Sequence, residues 1–548
     1  MPSSQHRTSL SDPTTRLYSA VVAALLEPLG LTPDQTEALE PAPPPSLELG
    51  DLALPCFPLA KLLRKPPPAI AQEIVRAHPQ GIPGDRLAAG GADPDLPSVE
   101  ALQAAGPYVN LRFRLGELAQ WLFRRVLGGD PPYGPPAEQG RKVVVEYSAP
   151  NTNKPLHLGH VRNNVLGMSL SNVLEAAGQR VVRVNMVNDR GIHICKTMVA
   201  YRRWGQGRTP EQAGVKPDHF VGRLYVRFDA ELKREEEAWR RAGGAGDEEA
   251  FLEESTLMQE ARECLRRWEA GDGETRSLWE RMNEWVYEGF QQTYARMGCR
   301  FDRWYLESET YKLGKKVVEE GLERGVFYRR PDGSVWARLE EQGLQDKLVL
   351  RSDGTSVYIT QDLGTAVQRF ADERMDRSLY VVGSEQELHF RNLFAILKQL
   401  GHEWADRCEH VSYGLVNLPG GMGKLKSREG RAVDADTLLD ELQRLALSRI
   451  EEAIAEGKLE RDEVGNLQEA AERVGQAALK VYLLQVSAEK NIVYDPDATL
   501  SFTGDTGPAI QYSHARIHGI LRKGLERGLP AQEEIHGLGK PEVQVRED

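Results

Sequence analysis

The 548-residue sequence has only five cysteines, and no two of them lie close together. This spacing argues against both a zinc site and a disulfide framework. Long apolar runs are also missing, and the longest one near the start extends only from Ala20 to Leu26, too short to span a bilayer. No basic segment directly precedes it, as a secretory signal would require. We therefore expect a protein of the reducing cytoplasm with no membrane partner.

An excess of positive charge is absent as well. The sequence has 69 basic and 81 acidic residues, which gives a formal net charge of −12. Contacts to phosphates need lysine and arginine, so this balance counts against an obligate nucleic-acid binder and we expect no DNA partner. A net charge does not describe local patches, however. The composition therefore neither predicts nor excludes an RNA partner.

The common nucleotide and metalloprotease signatures are missing: Walker A, G-x-G-x-x-G and H-E-x-x-H. Instead, His157-Leu-Gly-His160 follows a β-branched run, Val143–Tyr147, and opens a helical stretch that extends to about Ala177, with Gly178 as its C-cap. A second strand is predicted at Val181–Val187. This β-loop-α-β order indicates the first half of a doubly wound sheet.

The residue types of His157-Leu-Gly-His160 suit a nucleotide site. Gly159 lets a flat base lie against the backbone, because it has no side chain. His157 and His160 can reach phosphate oxygens at the positive end of the helix. The tetrapeptide alone is also compatible with a structural turn. Its position between a buried strand and a helix favours nucleotide binding.

A second basic element lies far downstream, in the glycine-rich stretch Gly423-Lys-Leu-Lys-Ser-Arg-Glu-Gly430. Lysines on such a loop can close over a triphosphate and neutralise the charge that develops as pyrophosphate leaves. The alternative is an ordinary solvated basic loop.

The chain divides into three predicted regions. Residues 1–127 combine helices and strands, with a helix at Leu17–Leu26 and a strand at Pro107–Phe113, and Gly128–Gly140 is a predicted linker. Residues 141–432 form an α/β region, with a buried strand at Leu379–Val382 and a helical insertion at about 205–300. Residues 433–548 are predicted to be all-α. An apolar stripe at helical spacing in the insertion is expected to pack in the core: Trp279, Met282, Val286, Phe290, Tyr294 and Met297.

Five segments, in order, resemble signatures of the arginyl-tRNA synthetases, a class I family. Glu146-Tyr-Ser-Ala-Pro-Asn-Thr-Asn-Lys-Pro-Leu-His-Leu-Gly-His-Val-Arg-Asn163 resembles their extended HIGH region, and Gly423–Gly430 is similar to their degenerate KMSKS loop. The others are Tyr358–Asp362, Gly383–Gln386 and Thr506–Arg516. The resemblance covers residues from about 50 to 525 discontinuously. It implies a Rossmann-type α/β catalytic domain with helical insertions, an N-terminal α+β domain and a C-terminal all-α domain of the anticodon-binding type.

The resemblance implies an arginine–tRNA ligase that forms arginyl adenylate from ATP and transfers arginine to tRNA-Arg, bound tRNA being needed for the first step. Lys154 lies just upstream of HIGH, and the resemblance implies that it takes the role of the later KMSKS lysine, whose position is Ser427 in this sequence. Lys154 and Lys424 would stabilise the departing pyrophosphate beside His157 and His160. The implied ATP-binding residues are His157, Gly159, His160, Lys424, Lys426 and Arg428. Magnesium would come with the triphosphate, and no metal held by the protein is expected.

An arginine pocket must satisfy a planar guanidinium with five donors, so we expect carboxylates in it. The resemblance assigns the guanidinium to Tyr358, Asp362 and Glu307. Tyr358 and Asp362 share one face if their segment is helical. It assigns the α-amino end to Asn151 and Gln386, and places Glu146 in the pocket wall.

The implied tRNA contacts are Tyr108 and Asn110 for a D-loop base, and Tyr512 and Arg516 for the anticodon. The sequence departs from the family at Ala509, where a tyrosine is usual, and after Arg516, where the final helices and their Asp-Ala-Leu-Arg segment are not found. We therefore expect a shortened anticodon-type domain in a monomeric protein. Two alternatives stay open: a tRNA-binding fragment that is non-catalytic or deficient in charging, and another nucleotidyl transferase with the H-x-G-H motif.

Overall fold

The computed structural model describes residues 13–31, 39, 41–88, 95–128, 140–417, 433–499 and 504–528. Most of the predicted linker Gly128–Gly140, and all of Gly423–Gly430, lie outside these residues. The chain forms two compact units, one comprising residues 1–138 with 521–548 and the other residues 139–520.

The first unit is an antiparallel sheet covered by helices. Its strands are β1 (Leu52–Pro55), β2 (Val99–Ala105) and β3 (Tyr108–Phe113), in the order β1-β3-β2. Its helices are α1 (Pro13–Leu26), α2 (Phe57–Leu63), α3 (Pro67–Ala77), α4 (Gly84–Ala88) and α5 (Leu115–Gly128). Leu54, Ile70 and Val109 are fully buried between the two layers. The helix predicted at Leu17–Leu26 and the strand predicted at Pro107–Phe113 are both confirmed.

The second unit contains the remaining elements in chain order, except that residues 521–526 of the last helix are assigned to the first unit. Its strands are β4 (Lys142–Glu146), β5 (Arg180–Val187), β6 (Arg303–Leu306), β7 (Phe327–Arg329), β8 (Val335–Ala337), β9 (Lys347–Leu350), β10 (Arg377–Gly383), β11 (Cys408–Tyr413), β12 (Val416–Asn417) and β13 (Ile492–Val493). Its helices are α6 (Leu158–Ala176), α7 (Ile192–Trp204), α8 (Pro210–Ala213), α9 (Pro217–Arg241), α10 (Glu248–Glu254), α11 (Thr256–Glu269), α12 (Gly273–Met297), α13 (Glu307–Glu323), α14 (Tyr358–Glu373), α15 (Glu387–Gln399), α16 (Ala435–Ala455), α17 (Arg461–Val464), α18 (Leu467–Leu484), α19 (Pro496–Thr499) and α20 (Gly507–Glu526).

A parallel sheet forms the centre of the second unit. Its strand order is β11-β10-β4-β5-β6, and every neighbouring pair is parallel. The β-branched residues of β4 are buried because helices cover the sheet, as expected for this topology. The strands predicted at Val143–Tyr147, Val181–Val187 and Leu379–Val382 are confirmed as β4, β5 and β10, and with them the Rossmann-type α/β class.

Helix α6 follows β4 and packs closely on the sheet. It begins after His157, which is its N-cap, and ends where Gly178 takes a positive φ of 82°. Gly167 permits the close packing, since a Cβ there would come within 2.3 Å of the Tyr147 ring. The carboxyl end of β4 is thereby joined rigidly to the start of α6, where nucleotide sites of such sheets lie.

The predicted insertion, at about 205–300, contains helices α8 to α12, which share one hydrophobic core with α7, α16 and α18. The apolar stripe is confirmed as core. Met282, Val286, Phe290, Tyr294 and Met297 are buried on α12, and Trp279 packs against them half-buried. Within the described part of the chain, no helix is both long and apolar enough to cross a bilayer. All five cysteines are free thiols.

Candidate active site

The rings of the two histidines at the start of α6 are oriented by hydrogen bonds from backbone N–H groups. Nδ1 of His157 accepts from the Gly159 N–H at 3.1 Å, and Nδ1 of His160 accepts from the His157 N–H at 3.2 Å. The proton of each neutral ring must then lie on Nε2. Burial, together with the charge of Lys154, lowers the pKa of His157 to about 4 and that of His160 well below its usual value. Near neutral pH both rings are uncharged donors.

The chain between β4 and α6 has an unusual backbone that its neighbours hold in place. Ser148 and Ala149 have φ angles of 79° and 47°, a region that residues with a side chain rarely occupy. The Ser148 N–H donates to Asn163, and the Ala149 N–H donates to Asn185 at 3.2 Å. The Ser148 hydroxyl lies 2.6 Å from that of Tyr294. These bonds fix the direction in which the chain leaves the sheet.

The next residues of the loop lie against the end of β5. Asn151 bridges to Asn188, and the Thr152 N–H donates to the Asn188 carbonyl at 3.1 Å. Lys154 is half-buried, and its charge acts on both histidines. The structure therefore brings Lys154, His157 and His160 together at the carboxyl edge of the sheet.

Lys424, Lys426 and Arg428 lie outside the described residues. We call the segment predicted to carry them, Gly423–Gly430, the Lys424 loop, and the chain is described again from Val433 onward. The Leu158 N–H donates to the Val433 carbonyl at 3.0 Å, and the Ala435 N–H donates to the Leu156 carbonyl at 2.9 Å. The segment after the loop is thus paired with the backbone of the HIGH motif.

The upstream end of the same loop is held by Arg162, a fully buried residue of α6. Its guanidinium donates to the carbonyls of Gly414 at 2.6 Å, Leu415 at 3.2 Å, Ala488 at 3.0 Å and Lys490 at 2.8 Å. The polypeptide on both sides of the Lys424 loop is therefore attached to residues 156–162. Arg162 was missed from the sequence, because nothing local distinguishes a buried arginine from an exposed one.

A buried acidic group begins α13. Glu307 is only 8% exposed, and burial raises its pKa to about 7, against the opposing charge of Arg190. Next to it, Asp189 accepts from the Ser308 N–H at 2.8 Å, the Ser308 hydroxyl at 2.6 Å and the Tyr287 hydroxyl at 3.0 Å. Asp189 is thus fully engaged in holding the start of α13. Glu307 takes no part in these three hydrogen bonds, and its side chain hydrogen-bonds Gln361 instead.

Tyr358 and Asp362 lie one turn apart on α14, as their spacing predicted for a helix. The charge of Asp362 contributes to the raised pKa of Glu307, so the two carboxyl groups lie close enough to repel one another. Oδ2 of Asp362 lies 2.6 Å from Nε2 of His389, whereas the Tyr358 side chain is 76% exposed. Gln386 is exposed at the end of a 3-10 turn that follows β10.

Glu146, at the carboxyl end of β4, forms an ion pair with Arg369 of α14. The Arg369 guanidinium is buried between the rings of Tyr305 and Tyr380, at 5.2 and 5.3 Å from their centroids. This pair joins the strand before HIGH to the helix that carries Tyr358 and Asp362. Arg369 was missed from the sequence, although it lies two turns beyond Asp362 on the same helical face.

The four predicted tRNA-binding residues occupy two places. In the first unit, Tyr108 is 41% exposed with its ring centroid 5.7 Å from that of Phe57, whereas Asn110 is only 4% exposed. In the second unit, Tyr512 and Arg516 are exposed on α20, with the guanidinium 5.7 Å from the tyrosine ring. Phe57 is a further exposed aromatic residue that was not identified from the sequence.

Comparison with known proteins gives consistent results for both units. The family model of class I (R) tRNA synthetase catalytic domains matches residues 124–495, and that of the arginyl-tRNA synthetase N-terminal domain matches residues 16–113. An arginine–tRNA ligase of Parabacteroides distasonis is 47% identical over 489 residues, covering 89% of this chain and 78% of the relative. One from Treponema denticola is 45% identical over 501 residues, covering 90% of this chain and 79% of the relative.

Solved structures agree. The arginyl-tRNA synthetase of Thermus thermophilus superimposes with a TM-score of 0.69 at 26% identity, over 94% of this chain and 83% of that one. That of Plasmodium falciparum has the same fold, with a TM-score of 0.68 at 16% identity, over 96% of this chain and 83% of that one. A HIGH-type histidine pair at the edge of a parallel sheet, buried carboxylates nearby and these matches over most of its length lead to one conclusion: the chain belongs to the arginyl-tRNA synthetase family.

Proposed function

We propose that the carboxyl edge of the parallel sheet is the site at which this chain, an arginine–tRNA ligase, activates arginine with ATP. The observation that carries the proposal is the pairing of two chemically different groups in one unit. Neutral histidines and Lys154 lie at the start of α6, and the carboxyl groups of Glu307 and Asp362 lie at the starts of α13 and α14. The first group suits a triphosphate and the second suits a guanidinium.

In the first reaction, an oxygen of the arginine carboxylate attacks the α-phosphorus of ATP. A phosphorus–oxygen bond forms, the bond to the β-phosphate breaks, and pyrophosphate leaves. We propose that His157 and His160 donate Nε2–H bonds to phosphate oxygens, while Gly159 leaves space for the adenine. Lys154 and Lys424 stabilise the charge of the departing pyrophosphate, while Lys426 and Arg428 bind ATP. No covalent intermediate with the enzyme is needed.

Magnesium is proposed to accompany ATP and to lower the charge repulsion among its phosphates. The groups at the start of α6 are N–H donors and an ammonium, which are not ligands for Mg²⁺. The ion would therefore be carried by phosphate oxygens and water, with no protein ligand assigned.

For arginine, we propose that Glu307, Asp362 and Tyr358 bind the guanidinium and that Asn151 and Gln386 bind the α-amino end. Glu146 belongs to the pocket wall, and its pair with Arg369 holds α14 in place. A neutral competitor such as citrulline would leave buried acceptors of the pocket unpaired. Its affinity should therefore be far lower than that of arginine.

For tRNA, we propose that Tyr108 and Asn110 contact the D-loop and that Tyr512 and Arg516 contact the anticodon arm. Residues 1–127 would then serve as the D-loop domain, residues 141–432 as the catalytic domain and residues 433–548 as an anticodon-type domain. In the second reaction a hydroxyl of the terminal ribose attacks the carbonyl of arginyl adenylate, and AMP leaves. We propose that the chain acts as a monomer in the cytoplasm, with no DNA or membrane partner.

Pyrophosphate exchange tests the first reaction. We expect exchange with arginine in the presence of tRNA-Arg, and none with lysine or citrulline. His160→Ala should abolish it, with Lys233→Met on the exposed surface of α9 as a control that keeps full activity. Exchange that depends on a different amino acid would refute the arginine pocket. Exchange without charging of tRNA-Arg would instead support the charging-deficient alternative.

A further inference from the structure

A group of partly buried charges joins the insertion to the first turn of α16. The Lys216 ammonium lies 3.1 Å from Oδ2 of Asp218, 2.6 Å from the Thr293 hydroxyl and 2.7 Å from Oδ2 of Asp436. Nε2 of His219 lies 3.1 Å from the same Asp436 oxygen. We call these five residues the clasp, since they connect the starts of α9 and α16 through α12.

The clasp contains its own cation. Asp218, His219 and Asp436 offer three ligand atoms within 4.8 Å of one another, which alone would suggest a metal site. Lys216, however, already contacts both carboxylates and is only 20% exposed. A second cation would have to displace that ammonium, so the cluster is a set of internal ion pairs.

The position of the clasp relative to the HIGH motif indicates its task. Asp434 caps α16 through the Thr437 N–H at 2.9 Å, and its backbone forms an antiparallel bridge with His157. The intervening Ala435 N–H bonds the Leu156 carbonyl. Residues 434–436 are thus held by HIGH on one side and by the clasp on the other. Residues 434–436 also follow the Lys424 loop directly in the sequence.

We propose that Lys216 and His219 are positioning residues for adenylation: by holding Asp436, they keep the downstream end of the Lys424 loop in register with His157. The inference rests on the proposed role of Lys424 in pyrophosphate departure. Neither Lys216 nor His219 is assigned a contact with substrate. Their effect is transmitted through the backbone of residues 434–436.

The charges of the clasp predict how this positioning depends on pH. Four charged groups surround His219: the ammonium of Lys216 and the carboxyl groups of Asp218, Asp434 and Asp436. Negative charge therefore predominates around the imidazole. The hydrogen bond to Asp436 and the surrounding negative charge raise the pKa of His219. Protonated His219 therefore strengthens the clasp. As the pH rises through this raised pKa, the positive charge is lost and the positioning weakens.

The experiment compares arginine-dependent pyrophosphate exchange, with tRNA-Arg present, in the full chain and in three variants: Lys216→Met, His219→Gln and the control Lys233→Met. Lys233 lies on the same helix, and among the described residues it pairs with Asp229 one turn away. For Lys216→Met we expect kcat to fall about tenfold, with KM for arginine within about twofold of the parent. For His219→Gln, which keeps a hydrogen-bond donor, we expect the alkaline decline of kcat to disappear. The control should match the parent, and Lys216→Arg should regain most of the lost rate.

Three results would overturn the inference. One is a parallel loss of kcat and of arginine affinity in Lys216→Met, which would indicate general damage to the fold. Another is an unchanged alkaline decline in His219→Gln, the variant expected to fold normally. The third is full exchange by Lys424→Ala, which removes the premise. Absence of arginine-dependent exchange in the parent chain itself would instead show failure of the proposed function, so the two failures are distinguishable.

Discussion

Replacing Glu307 by glutamine should weaken arginine binding and at the same time stabilise the protein. Burial raises the pKa of this carboxyl from 4.5 to about 7. An acid whose pKa is raised by folding destabilises the folded state once it is ionised, and the loss develops as the pH rises between these two values. At 1.36 kcal/mol per pH unit, the rise corresponds to about 3 kcal/mol above pH 7. Glu307→Gln removes this cost because the amide carries no charge.

The same carboxyl predicts how arginine affinity depends on pH. A guanidinium binds the ionised form, and at pH 6 only about one carboxyl in ten is ionised when the pKa is about 7. We therefore expect the dissociation constant for arginine to increase about tenfold from pH 8 to pH 6. Near pH 7 binding should also release part of a proton, which calorimetry detects as a heat that depends on the ionisation enthalpy of the buffer.

The assay is calorimetric titration with arginine from pH 6 to pH 8.5, together with urea denaturation at pH 8, for the parent and for Glu307→Gln. The variant should bind weakly at every pH and unfold at a higher urea concentration. Asp372→Asn, at an exposed position of α14, is a matched control that should change neither quantity. Arginine affinity that is independent of pH in the parent would refute this reasoning, as would a variant less stable than the parent.

Three further changes test other parts of the molecule. Gly159→Ala places a Cβ 3.0 Å from the His157 ring. We therefore expect kcat for pyrophosphate exchange to fall at least about tenfold, with little change in melting temperature. A rate near that of the parent would contradict a close fit of ATP against Gly159. Arg369→Met leaves Glu146 buried without its partner, so the free energy of unfolding in urea should fall by about 3 kcal/mol. The double variant with Glu146→Gln should regain part of this loss. A loss below about 1 kcal/mol in the single variant would show that the pair is dispensable. Tyr108→Ala should raise KM for tRNA about tenfold in charging assays, while the KM values for arginine and ATP stay constant. An equal rise of all three KM values would exclude a role of Tyr108 in stacking on tRNA.

Local sequence patterns predicted the elements that form the frame of the site. A β-branched run predicted β4, and a glycine after the apolar helical pattern marked the end of α6. The spacing of Tyr358 and Asp362 placed both on one face of α14, which the structure confirms. Such features depend on interactions within a few residues, so a single sequence contains them.

The supports of the site could not be predicted because they depend on contacts between distant parts of the chain. Asp189 holds the start of α13 through Ser308, which is 119 residues away in the sequence. Lys216 contacts Asp436, which is 220 residues away in the sequence. In a linear sequence these are ordinary charged residues, for which a solvated position is the better prediction. The left-handed backbone at Ser148 and Ala149 was likewise invisible, since neither residue favours it.

The hydrogen bonds of Arg162 also have a consequence for how the protein is made. One of its carbonyl partners, Lys490, is separated from it by 328 residues. During synthesis at roughly 5–20 residues per second, that partner emerges roughly a quarter of a minute to a minute after Arg162. Until then the nascent catalytic unit carries an arginine whose final partners have not been made. The site can therefore close only late in translation, and a ribosome that stalls before residue 490 leaves it unfinished.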